Sequence, residues 1–96
     1  MPHSQASVAT EHASRYLQQL SKHWSHRFAV TFDPHQSVID FGDGRSVSLK
    51  ASDTALDAEA RDQDAAKLTS LEEVVENHIK RFAFREELIF NWTQHD

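Results

Sequence analysis

Apolar side chains recur at two periods along this chain, and the switches between them mark its elements. Ala13, Leu17, Leu20 and Trp24 are spaced by four, three and four residues within the stretch His12 to Phe28. At about 3.6 residues per turn they form one stripe of an amphipathic helix ending near His26. His12, Tyr16, Gln19 and His23 fall beside that stripe within an arc of roughly 60°, giving the helix a polar, aromatic and titratable flank. Thr10 is placed to cap its start.

From Arg27 the period drops to two: Phe28, Val30 and Phe32 share one face of a strand. Asp33-Pro34-His35-Gln36 is turn chemistry, and a four-residue loop there opposes Phe32 to Ser37, Val30 to Ile39 and Phe28 to Phe41. At Gly42-Asp43-Gly44, a three-residue hairpin pairs Ile39 with Val47 and keeps both strands facing the core, with Gly44 in the left-handed region. Leu56, Ala58 and Ala60 alternate with Asp57, Glu59 and Arg61 in a further strand, and residues 5 to 10 form a short strand near an edge.

Helical spacing returns at Leu68, Leu71, Val75, Ile79 and Phe82, with Asp62 or Asp64 as the cap. In Glu87 to Trp92, Leu88, Phe90 and Trp92 share the face of a last strand. Residues 1–4 and 93–96 read as frayed ends. The order is strand, helix, four strands, helix, strand. It predicts an α+β two-layer sandwich: a mostly antiparallel sheet of five to six strands with two long helices on one face. A ferredoxin-like arrangement is the nearest general description, although a four-strand meander does not match its split repeat.

Composition narrows the function classes. Ninety-six residues make a single domain, 1–96, with one core and room for one shallow site. A net charge of −5, with Lys and Arg scattered among acids, speaks against nucleic acid as the partner. No apolar run approaches the roughly eighteen residues of a membrane span, and the first ten residues lack a signal-like apolar core, so a cytoplasmic, membrane-free protein is the expectation. With no cysteine, histidines and carboxylates are the strong metal ligands left.

The stretches HASRYLQQLSKHWSHRF at 12–28, IDFGDG at 39–44 and HIKRFAFREEL at 78–88 resemble a family of small bacterial proteins catalogued as domain of unknown function 2218. The resemblance covers nearly the whole domain. It implies little about activity, and it attaches an iron and siderophore gene context rather than a mechanism.

Three constellations carry candidate chemistry. His12 and His23 stand about 16 Å apart along a helix, too far to share a metal; His23 and His26, with His78 from the second helix, form the alternative metal set. Arg15, Arg81 and Arg85, with Tyr16 and His78, suit a carboxylate or phosphate, although Glu86 and Glu87 are placed to pair with those arginines instead. The partial dyads His12 with Ser14 and His78 with Glu76 point apart by about 200° on a helix, so no catalytic residue is assigned. Phe82, Phe84, Phe90, Trp92 and Trp24 read first as core and second as a cleft or oligomer face. A last strand apolar on both sides asks for a cover, for which a homodimer is the simplest.

The expectation is therefore a binding or accessory module without cofactor, for a small anionic ligand or a protein partner. Its site comprises His12, Tyr16, Gln19, His23, His78, Arg81 and Arg85. A metal protein or small enzyme using His23, His26 and His78 is one rival, and a structural homodimer is the other.

Overall fold

Strands β1 (His3–Ala9), β2 (Ala29–Phe32), β3 (Gln36–Gly42), β4 (Arg45–Ala51), β5 (Ala55–Arg61) and β6 (Thr93–His95) form one antiparallel sheet. They lie in the order β2-β3-β4-β5-β1-β6. Helices α1 (Ala13–Trp24) and α2 (Ala65–Phe82) cover one face in this computed structural model, which describes residues 2–95. The expected two-layer sandwich and element order are what is found.

The topology accounts for the placement of both helices. β1 and β2 run parallel at separated positions of the sheet, joined through α1, and β5 and β6 run parallel on either side of β1, joined through α2. The first crossover moves one way across the sheet from a strand of one direction. The second moves the other way from a strand of the opposite direction. Crossovers of the same hand then put both helices on the same face, and a right-handed preference supplies that common hand.

The core lies between the layers. Leu17, Leu20, Leu68, Leu71, Val75 and Ile79 from the helices meet Val8, Ile39, Val47, Leu49 and Leu56 from the sheet, all at 0–1% exposure. Burying each such aliphatic side chain stabilises the fold by roughly 1.5–3 kcal/mol relative to exposure. One polar pair is sealed inside: Ser21 Oγ donates to the Leu17 carbonyl at 2.7 Å and lies 2.7 Å from Ser37 Oγ.

The hairpins show how register is set. Val30 opposes Ile39 and Phe32 opposes Ser37, as the loop length requires. Asp33 Oδ1 accepts the backbone N–H groups of His35 and Gln36, which holds its carboxyl below the usual carboxylate range. β2 starts at Ala29, so Phe28 meets Phe41 by ring contact, 4.7 Å between centroids, rather than across a ladder. In the next hairpin Ile39 does pair with Val47, and Gly44 has φ +76°. The parity is achieved differently from the expected three-residue loop: Gly42 pairs with Arg45 across a two-residue Asp43-Gly44 turn, and a bulge at Phe41 restores the register.

Helix boundaries are sharper than the sequence periods. α1 ends at Trp24 rather than His26, and its N-cap position is His12, with no side-chain cap bond; Thr10 Oγ1 instead accepts the His12 N–H at 3.1 Å. Asp64 caps α2 by accepting the Ala66 N–H. Asp62, 2% exposed, pairs with Arg45 at 3.2 Å.

The C-terminal expectation needs correction. Residues 87–92 form no strand; they run back along α2, where Trp92 Nε1 donates to Glu76 Oε1 at 3.0 Å and the Lys80 amine sits 5.9 Å from the Phe90 ring centre. Leu88 is buried, while Ile89 is 65% exposed. The last strand is the polar Thr93–His95, expected to fray, which pairs with His3, Ser4 and Gln5 of β1. Its Gln94 side chain donates to Thr69 and Glu72. At the other end His3 and Ser4, also expected to fray, belong to β1, and Ser4 is fully buried. Met1 and Asp96, part of the same expectation, lie outside the described residues. The strand whose two apolar faces asked for a cover is therefore not formed.

Candidate functional site

The turn leaving α2 builds the site. The Ala83 N–H closes the helix onto the Ile79 carbonyl, and the Glu86 N–H returns to the Ala83 carbonyl at 3.2 Å. That turn carries Phe84, Arg85 and Glu86 toward the start of α1. Thr10 sits there because its backbone N–H donates to the Thr54 carbonyl at 3.1 Å, tying the approach to α1 to the β4–β5 hairpin.

Glu86 is the centre of the resulting polar cluster. It accepts from the Tyr16 hydroxyl in a short hydrogen bond, and Thr10 Oγ1 lies 3.1 and 3.2 Å from its two oxygens. Tyr16 is 4% exposed, and its phenol is pushed up from 10.0 to about 12, first by burial and then by the Glu86 bond and charge, against a lowering by Arg15. The phenol stays protonated through the physiological range and serves Glu86 as a fixed donor.

Above this cluster opens a cleft of about 930 Å³ whose lining includes His12, Arg15, Tyr16, Gln19, Phe82 and Arg85. That is toward the upper end of small-molecule site volumes. Glu11 and Glu86 are its acids. Arg15 and Arg85 form no ion pair among the described residues, and the expected pairing of Arg81 and Arg85 with Glu86 or Glu87 is not formed. Arg85 instead lies 5.4 Å from the ring centre of Phe84, which is 79% exposed at the rim. The first turn of α1, which borders the cleft, carries no acid of its own and no side-chain cap, and the carboxylates near its positive end are those of Glu11 and Glu86.

The seven sequence-selected residues do not converge at one point. His12, Tyr16, Gln19 and Arg85 line the cleft. His23 and His78 meet each other near the opposite end of α1, their ring centres 5.4 Å apart, with Trp24 5.0 Å from His78. Phe82 touches both groups: it lines the cleft and packs edge-on to His23 at 6.2 Å. Arg81 is exposed in the last turn of α2, and His26 is exposed beyond the end of α1. No group of three His, Asp or Glu side chains positioned to hold a metal occurs among the described residues.

Arg15 was legible as a member of the cleft, since it lies three residues after His12 and four before Gln19 on the same helical flank. Thr10, Thr54 and Glu86 were not assigned to it, because their positions depend on the turn after α2 and on the β4–β5 hairpin. No helix is long and apolar enough to cross a membrane among the described residues.

Comparison with known proteins agrees with this architecture. Residues 5–93 match a family described as "Uncharacterized protein conserved in bacteria (DUF2218)". The NMR structure of PA4090 from Pseudomonas aeruginosa is similar at a TM-score of 0.82 with 35% sequence identity, covering 97% of this chain and 96% of that one. No curated protein matches the chain.

Proposed function

The chain belongs to the bacterial DUF2218 family, and we propose that it is a non-enzymatic binding module whose cleft takes a small ligand with an aromatic body and a carboxylate. The observation that carries this reading is the distribution of partners in the cleft. Glu86 is engaged by the Tyr16 and Thr10 hydroxyls, while Arg15 and Arg85 line the same space with no carboxylate partner among the described residues. Guanidinium groups bind carboxylates through two parallel hydrogen bonds, a geometry that suits Arg15 and Arg85 to a ligand carboxylate. Phe82 and the exposed Phe84 offer apolar surface for the ligand body.

Glu11 and Glu86 balance those charges, so specificity rests on guanidinium geometry rather than on net field. Aromatic carboxylate chelators of the kind that carry ferric iron have this chemistry, which is where the iron and siderophore context would enter. Benzoate is the simplest probe. Titrated into ¹⁵N-labelled protein, it should shift the amides of Arg15, Tyr16, Gln19 and Arg85 in a saturable way. Saturable shifts confined to the open face of the sheet, or no saturation, contradict the reading.

A protein partner, including a second copy of the chain, is the second reading. Exposure of 79% at Phe84 and 65% at Ile89 favours it, because both side chains lie on the segment that follows α2. Dilution of the free protein separates the two: amide positions at 84–89 that change with protein concentration point to self-association.

A further inference from the structure

We propose that His23 and His78 form a two-imidazole site for a borderline divalent transition metal ion such as zinc, clamped between α1 and α2. The site lies outside the cleft, and the inference does not rest on the ligand reading above.

Each helix contributes one ring, and their centres are 5.4 Å apart at an interplanar angle of 48°. Two imidazoles bound to one tetrahedral ion at about 2.1 Å hold their ring centres about 5 Å apart, so the spacing accommodates a shared ion. The second observation is the anchoring of His78. Its Nδ1 lies 2.7 Å from the Val74 carbonyl, and a carbonyl can only accept, so Nδ1 carries a proton and Nε2 is the nitrogen left to bind a metal. A backbone carbonyl holding the far nitrogen is the usual outer partner of a metal-binding histidine, fixing its tautomer and raising its basicity.

The surroundings suit a borderline ion. His23 is exposed and His78 half-buried, which leaves an entry path, and the Trp24 and Phe82 rings form the apolar wall. Among the described residues no third His, Asp or Glu joins the pair, so an ion held there keeps positions for water or an incoming ligand. Nitrogen donors without thiolates or a carboxylate cage favour zinc, copper or nickel over calcium or magnesium.

His3 and His95 also lie close, 5.2 Å between centres and with planes nearer parallel at 28°, and they provide the internal control. The test is a Zn²⁺ titration of tag-free protein followed by calorimetry and by long-range ¹⁵N spectra of the histidine rings. The proposal expects about one equivalent of zinc, with the ring nitrogens of His23 and His78 shifting together. It also expects an affinity loss of at least about tenfold in His23→Ala and in His78→Ala, retained binding in the His3→Ala/His95→Ala double variant, and no effect of Mg²⁺. Shifts confined to His3 and His95, or unchanged affinity in both single variants, overturn it. The ring spectra of the unmodified protein decide this even if a variant folds poorly.

Discussion

The Tyr16 hydroxyl donates to the Glu86 carboxylate across seventy positions of sequence, joining the first helix to the turn that leaves the second. Tyr16 is the single tyrosine in the chain, so tyrosinate absorbance reports this group alone. Its folded-state value of about 12 lies above the ordinary 10.0, so the folded protein holds the proton more tightly than the unfolded chain. The associated stability is fully present below about pH 10 and is lost as pH rises through about 12. An absorbance titration should give a native midpoint near 12 and a midpoint near 10 in denaturant, with Glu86→Gln moving the native value downward. Tyr16→Phe should cost roughly 1.5–3 kcal/mol in a denaturant melt, as expected for a hydrogen bond to a charged group. A native midpoint at the ordinary value would contradict the buried, donor-locked phenol.

How much of this was readable beforehand depends on the kind of signal. Leu17, Leu20 and Trp24 announced α1, and the parity of Ile39 and Val47 announced their pairing, because periodicity records which side chains face the core. Leu88, Phe90 and Trp92 alternate like a strand yet belong to irregular chain lying along α2. Alternation reports burial and says nothing about a ladder partner. The real last strand, Thr93–His95, is polar and was invisible to the same test; pairing with β1 places it. In the site, Arg15 shares the helical flank of His12 and Gln19, yet the expected set left it out and grouped it with Arg81 and Arg85 as a candidate anion pocket. Glu86 was placed instead beside Arg85, because a turn that swings its carboxylate to Tyr16 leaves no trace in the local pattern.

The buried hydroxyl pair should behave non-additively. Ser21→Ala leaves Ser37 Oγ without its Ser21 partner, and Ser37→Ala does the reverse, each at roughly 1–3 kcal/mol. The double variant replaces both with methyl groups and should cost clearly less than the sum of the singles, giving a coupling of about 1 kcal/mol or more in a denaturation cycle. Simple additivity would mean that the two hydroxyls do not depend on each other.

Two glycines in one hairpin should differ in cost. Both have positive φ, +84° at Gly42 and +76° at Gly44, so alanine at either should lose about 1 kcal/mol. A Cβ at Gly42 meets nothing within 4 Å, whereas one at Gly44 would come within 2.4 Å of the Gln63 side chain. Gly44→Ala should therefore be the more destabilising in thermal melts, and Gln63→Ala should narrow the gap between them.

Ending the chain after Trp92 should destabilise the domain by roughly 1–3 kcal/mol, since it removes the β6 pairing with β1 and the Gln94 bonds to Thr69 and Glu72. Amide exchange at His3 to Gln5 should accelerate more than exchange in β4. Unchanged urea midpoints would show that the last strand contributes little.

Charge selectivity in the cleft bears most directly on the proposed function. Calorimetric or NMR affinities for benzoate and for its neutral counterpart benzamide, measured on the native chain and on Arg85→Gln and Arg15→Gln, separate guanidinium recognition from simple apolar burial. The account predicts that the native chain prefers benzoate and that Arg85→Gln lowers benzoate affinity by at least about tenfold with benzamide little changed. Arg15→Gln should produce a smaller loss of the same kind. Equal binding of the two probes, or a benzoate affinity indifferent to both arginines, would contradict it.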